Sequence, residues 1–75
     1  MRWQDLITVT PEVMHGAPCF RGTRIPVSVV LDNLAAGLSH AELFANYPTL
    51  PREAPAAALA YAADLARDRV LHIPA

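Results

Sequence analysis

Arg21 and Arg24 flank Gly22-Thr23, a pairing that reads as a tight turn. Two guanidiniums on one turn can fork onto carboxylates or phosphates, and the turn backbone offers N–H groups beside them. The same arginines can instead pair with Asp5, Glu12 or Asp32 and hold the N-terminal segment down. Both roles are open to them, and they are the candidate partner-binding residues. Other chemistry is thin. His15 and Cys19 lie four apart, and His40 and His72 stand alone. A closed zinc site takes four ligands in paired short spacings, so no metal is expected. Cys19, the single cysteine, excludes an internal disulfide framework and reads as a small apolar packing residue. Arg21 is two residues on and shares its face in a strand, which leaves a redox role open. No serine or threonine sits in an evident His–acid arrangement. There is no phosphate loop, dinucleotide fingerprint or paired-carboxylate cleft, so neither catalysis nor a cofactor is expected. A chain of 75 residues also has little room for a pocket of the usual several hundred Å³.

The first third of the chain must position these arginines, and it reads as irregular β structure. Residues 6–9 form a short strand stopped by Pro11. His15-Gly16 makes a turn in which Gly16 supplies positive φ, and residues 17–21 return. Pro18 places that return strand at an edge. Ile25 precedes Pro26 and stays extended. The arm therefore spans about 6–25. The period then changes. Val27, Val30, Leu31 and Leu34 recur at i, i+3, i+4, i+7, predicting a helix over 27–36 with Pro26 at its first position and Gly37 as its left-handed stop. Ser39 and Glu42 form the capping box of a second helix, 39–46, ended by Pro48. A third helix begins between Pro51 and Pro55 and runs to about 69, giving a span of about 52–69. Helix, glycine turn and short helix make the skeleton of a helix-turn-helix. The predicted fold is a mainly helical α+β domain: three helices in helix-turn-helix arrangement behind an N-terminal β hairpin or arm, all in one domain over 1–75.

Charge and composition narrow the partners. Six arginines, no lysine and seven acids leave a formal net charge of −1, without the basic excess of a protein that grips nucleic acid electrostatically. No apolar run approaches the roughly 18 residues of a membrane span, and the N-terminus lacks the apolar stretch of a signal peptide, so a cytoplasmic address is expected. Hydrophobic residues make up 53% of a chain too short for a thick core, which predicts burial against another chain. The third helix supports that expectation. Ala58, Tyr61, Ala62 and Leu65 share one face; Leu59, Ala63, Ala66 and Val70 share the next. The first would pack on the domain and the second on another subunit, making Leu59, Ala63, Ala66 and Val70 the expected dimer interface. The outer stripe of Glu53, Ala57, Ala60, Asp64, Arg67 and Asp68 offers alanines and acids where a major-groove reader presents Arg, Lys, Asn or Gln. If DNA is bound, Arg52 is the residue expected to touch it. Trp3 and the apolar tail 70–75 either dock on a partner or cover the protein's own core.

Several runs are familiar together. Ile7-Thr8-Val9-Thr10-Pro11, His15-Gly16-Ala17-Pro18 and Arg21-Gly22-Thr23-Arg24-Ile25-Pro26-Val27 resemble the signature of domain-of-unknown-function family 433 (DUF433). The resemblance continues through Leu34-Ala35-Ala36-Gly37-Leu38-Ser39, Tyr47-Pro48-Thr49-Leu50 and Ala57-Ala58-Leu59-Ala60-Tyr61-Ala62. It implies a small winged-helix-like domain with a β arm. It also implies an antitoxin of a type II toxin–antitoxin pair: a homodimer that neutralises a PIN-like nuclease toxin and binds its own operator. Such nucleases gather acidic side chains around a metal, and Arg21 and Arg24 would then neutralise those carboxylates. The alternative is a stand-alone transcription regulator. Pro51 and Pro55 stand where the family pattern carries a capping residue and an aliphatic one, so the third helix is also open to a late start at Pro55, with Ala54 extended.

Overall fold

The computed structural model describes residues 1–68. A 3-10 turn at Trp3–Asp5 leads into β1 (Ile7–Thr8). A second, Met14–Gly16, lies in the link to β2 (Cys19–Phe20). Three helices follow: α1 (Val27–Ala35), α2 (His40–Asn46) and α3 (Ala54–Asp68). The protein is thus a mainly helical α+β domain with a two-stranded antiparallel sheet. No helix among the described residues is long and apolar enough to cross a membrane.

The strands are shorter than the predicted 6–9 and 17–21. Ile7 pairs with Phe20 and Thr8 with Cys19, and one further bond runs from Arg21 N to Leu6 O at 2.7 Å. Pro18 has no N–H to extend the ladder, but its carbonyl accepts from Val27 N at 2.9 Å. With Phe20 N donating to Ile25 O, that bond lays the chain after the Arg21–Arg24 turn back along β2 and fixes where α1 begins. Pro26 is consequently the N-cap of α1, with extended ψ of 147°, one position ahead of the expected place.

Helix ends follow local chemistry. Gly37, at φ 90°, ends α1 in a Schellman arrangement: Gly37 N donates to Leu34 O and Leu38 N to Asn33 O. The α2 capping box is complete. Glu42 N donates to Ser39 Oγ at 3.1 Å, and Ser39 N donates to Glu42 Oε1 at 3.0 Å. Those bonds to Ser39 hold the Glu42 carboxyl below its ordinary pKa.

The third helix corrects the late start. Ala54 is helical, not extended, and Pro55 sits in the first turn, where N–H groups have no intrahelical partner. The bond from Ala54 N to Pro51 O and the burial of Ala54 and Pro55 hold a conformation that a residue before proline ordinarily avoids. The helix likewise begins two residues after the expected 52, because Arg52 and Glu53 form a turn.

The core joins the inner face of the sheet to the helices. Ile7 and Phe20 pack with Val27, Val30, Leu43 and Leu50, and with Ala54, Ala57 and Ala58 of α3. Burying Phe20 or Leu43 fully stabilises by about 1.5–3 kcal/mol each. A two-stranded ribbon this short is marginal alone, and this packing holds it.

Candidate functional site

The inner face of the sheet, Ile7 and Phe20, is consumed by the core. Because side chains alternate, Thr8 and Cys19 face the other way. Residues 9–18, the link between the strands, fold over that outer face. Bonds from Val13 N to Thr10 O, Gly16 N to Val13 O and Ala17 N to Met14 O shape the link. Three successive residues in it are left-handed: Met14 at φ 49°, His15 at 56° and Gly16 at 81°. Two of these are not glycine, which costs about 1–2 kcal/mol each.

Between the link, β1 and the Arg21–Arg24 turn lies a cleft of about 370 Å³, lined by Thr8, Thr10, Val13, Ala17, Cys19, Gly22, Thr23 and Arg24. This corrects the expectation that so short a chain has little room for a pocket. The volume is gained by covering the outside of the sheet, not by hollowing the core. Cys19 forms part of the lining; it is a free cysteine and almost wholly buried. The Thr23 hydroxyl is occupied, donating to Phe20 O at 2.7 Å and accepting from Ile25 N at 3.1 Å. Among the described residues no hydrogen bond engages the Thr8 or Thr10 hydroxyl.

The turn arginines separate. Both are exposed, and Gly22 at φ 79° makes the turn between them. Arg24 lines the cleft. Arg21 lies outside it, with Nε donating to the main-chain oxygen of Asp5 at 3.1 Å. That bond ties Arg21 to the arm, though through a carbonyl and not the Asp5 carboxylate. Among the described residues the one ion pair is Arg67–Asp64, so neither turn arginine faces a carboxylate there. His15 is exposed on the link, and no three metal-ligating side chains gather among the described residues.

On α3 the buried face is Ala54, Ala57 and Ala58, with half-buried Tyr61 packed against the core. Ala57 was expected on the outer stripe, and Leu65, expected inside, is 40% exposed. The helix is rotated relative to that expectation: its alanines, rather than its leucines, join the core that holds Val27 and Val30 of α1. Leu59 is consequently 54% exposed, with Ala66 also exposed and Ala63 half-buried. Val70 and the tail 70–75 lie outside the described residues. Arg52 is exposed in the turn ahead of α3, next to Glu53. Trp3 covers the protein's own core: its ring stands edge-on to Tyr61 at 5.1 Å and 86°, and its indole N–H donates to the Asp64 carboxylate. That bond, with a further one from Arg67, keeps the Asp64 pKa below its ordinary value.

Comparison with known proteins places these features in a wider set. The family model described as "Protein of unknown function (DUF433)" matches residues 7–62, which include both strands, the cleft and α3 through Ala62. A protein of Sinorhizobium fredii (strain NBRC 101917 / NGR234), described as uncharacterized protein y4eO, is 36% identical over 50 residues. The match takes in 67% of this chain but 23% of that protein, so this chain spans less than a quarter of the curated relative. The crystal structure of a DUF433 member from Anabaena variabilis ATCC 29413 superposes with a TM-score of 0.75 at 37% identity, covering 87% of this chain and 64% of that one.

Proposed function

The chain belongs to DUF433, a family of unknown function, and we propose that it is a cytoplasmic antitoxin-like binding module that dimerises and neutralises a PIN-like nuclease toxin by direct contact. The observation that carries this reading is the Arg21–Arg24 turn. Two exposed arginines without a carboxylate partner among the described residues flank this turn: Arg24 lines the cleft, and Arg21 lies outside it on the folded arm. A nuclease site that gathers acidic side chains around a metal is the complementary surface. The stripe of exposed Leu59 and Ala66 with half-buried Ala63 on α3 supports a second copy of the chain as the other partner.

Stand-alone reading of operator DNA fits less well. The first turn of α3 is buried through Ala54, Pro55, Ala57 and Ala58. The exposed residues of α2 include Glu42 alongside His40 and Asn46, without a cation. Arg52, the residue proposed for DNA contact, stands beside Glu53. Operator binding is kept as a secondary role, in which a dimer sums two weak contacts.

The reading predicts a neighbouring reading frame that encodes a small acidic-site nuclease, and co-expression with that product tests it. The full chain is expected to restore growth and to co-purify with that nuclease, and the double variant Arg21→Ala, Arg24→Ala is expected to do neither. Sedimentation equilibrium is expected to read a dimer that Leu59→Glu converts to monomer. Rescue by the double variant removes the arm as the contact. Salt-sensitive, sequence-selective binding of duplex DNA by a chain that ignores the nuclease selects the regulator instead.

A further inference from the structure

The geometry points to the outer cleft of the β arm as a socket for one acidic side chain, Glu or Asp, of a protein partner; this rests on the reading of the arm as the partner-contacting surface. Three observations converge on it. Arg24 lines the cleft and has no carboxylate partner among the described residues. Thr8 and Thr10, two apart on the same side of the chain, line the same cleft with hydroxyls that no described residue engages. Val13 and Ala17 add apolar wall on which an aliphatic stem can lie. A planar guanidinium beside two hydroxyl donors matches a carboxylate, which accepts at two oxygens in one plane.

Size and charge select the occupant. About 370 Å³ is at the low end of small-ligand pockets, enough for a side chain and its neighbours but small for a nucleotide. The lining carries one cation, whereas nucleic-acid backbones are held by several. Val9 and Met14 lie next in sequence to lining residues and are 60% and 46% exposed. Val9, between Thr8 and Thr10, points away from the cleft, whereas Met14, next to the lining Val13, offers apolar contact to a residue that flanks the inserted acid, so the fitting segment is an acidic residue with an apolar neighbour.

The full chain titrated with the blocked tripeptide acetyl-Leu-Glu-Leu-amide, followed by amide NMR, tests this. Saturable shifts are expected at Thr8, Thr10, Gly22, Thr23 and Arg24. Replacing Glu by Gln in the peptide, or Arg24→Gln in the protein, is expected to weaken binding about tenfold. Thr8→Val, which keeps the β-branched shape, is expected to weaken it about threefold. Arg24 and Thr8 lie outside the core, so both variants fold, and a melting curve confirms it. No saturable shift, equal affinity in Arg24→Gln, or inorganic phosphate competing as well as the peptide overturns the socket. Peptide binding with no rescue in the nuclease experiment upholds the socket and removes the nuclease as its partner. Rescue that survives Arg24→Gln and Thr8→Val, with the peptide silent, does the reverse.

Discussion

Replacing Ala57 with leucine places an isobutyl group at a fully buried core position. Ala57 is fully buried on the face of α3 that meets the core, flanked by Ala54 and Ala58, which are equally buried. Overpacking of a filled core costs about 1–3 kcal/mol. A domain of this length has a total stability of about 4–11 kcal/mol, at ~0.05–0.15 kcal/mol per residue. The melting temperature of a domain this size moves by about 4–8 °C per kcal/mol, so Ala57→Leu is expected to lower it by about 4–24 °C. Ala56→Leu is the control. It changes the same atoms one residue away, at an exposed position, and alters helix propensity equally. Its expected effect is within about 0.5 kcal/mol. Far-UV circular dichroism melts of the three chains, at one concentration, read the difference. Equal melting of Ala57→Leu and Ala56→Leu, or the greater loss in Ala56→Leu, would refute the assignment of the alanine face to the core.

Two further perturbations probe other parts of the molecule. The lowered pKa of Asp64 means that its bond to the Trp3 indole stabilises the fold above the ordinary carboxylate range and is lost as pH falls below about 4. Trp3 is the single tryptophan, so its emission should titrate there in the parent and stay flat in Asp64→Asn; the same titration in both severs the link. His15 sits at φ 56° and ψ 32° and is exposed, so His15→Gly relieves left-handed strain that exceeds the added unfolded-state entropy. A gain of about 0.5–1 kcal/mol, seen as a rise of about 2–8 °C in melting temperature, is expected, and a fall contradicts the strain.

Signals that act within a few residues could be read from the chain before folding. The Ser39–Glu42 capping box, the Gly37 stop and the 3.6-residue spacing of α1 depend on bonds between near neighbours, and each stands where the spacing put it. The Arg21–Arg24 turn was recognisable for the same reason, because Gly22 marks it. What residue types could not convey was which surface meets which. Alanine is compatible with core and solvent alike, so residue types alone do not set the rotation of α3 that buries Ala57 and exposes Leu65. The cleft was hidden for a related reason: Thr8, Thr10 and Arg24 become neighbours when residues 9–18 cross the outer face of the sheet. Trp3 and Asp64 stand 61 positions apart, and their bond forms after the chain has closed on itself. Local hydrogen bonds are encoded over three or four residues, whereas long-range packing is chosen by competition among faces of similar composition, which residue types alone do not rank.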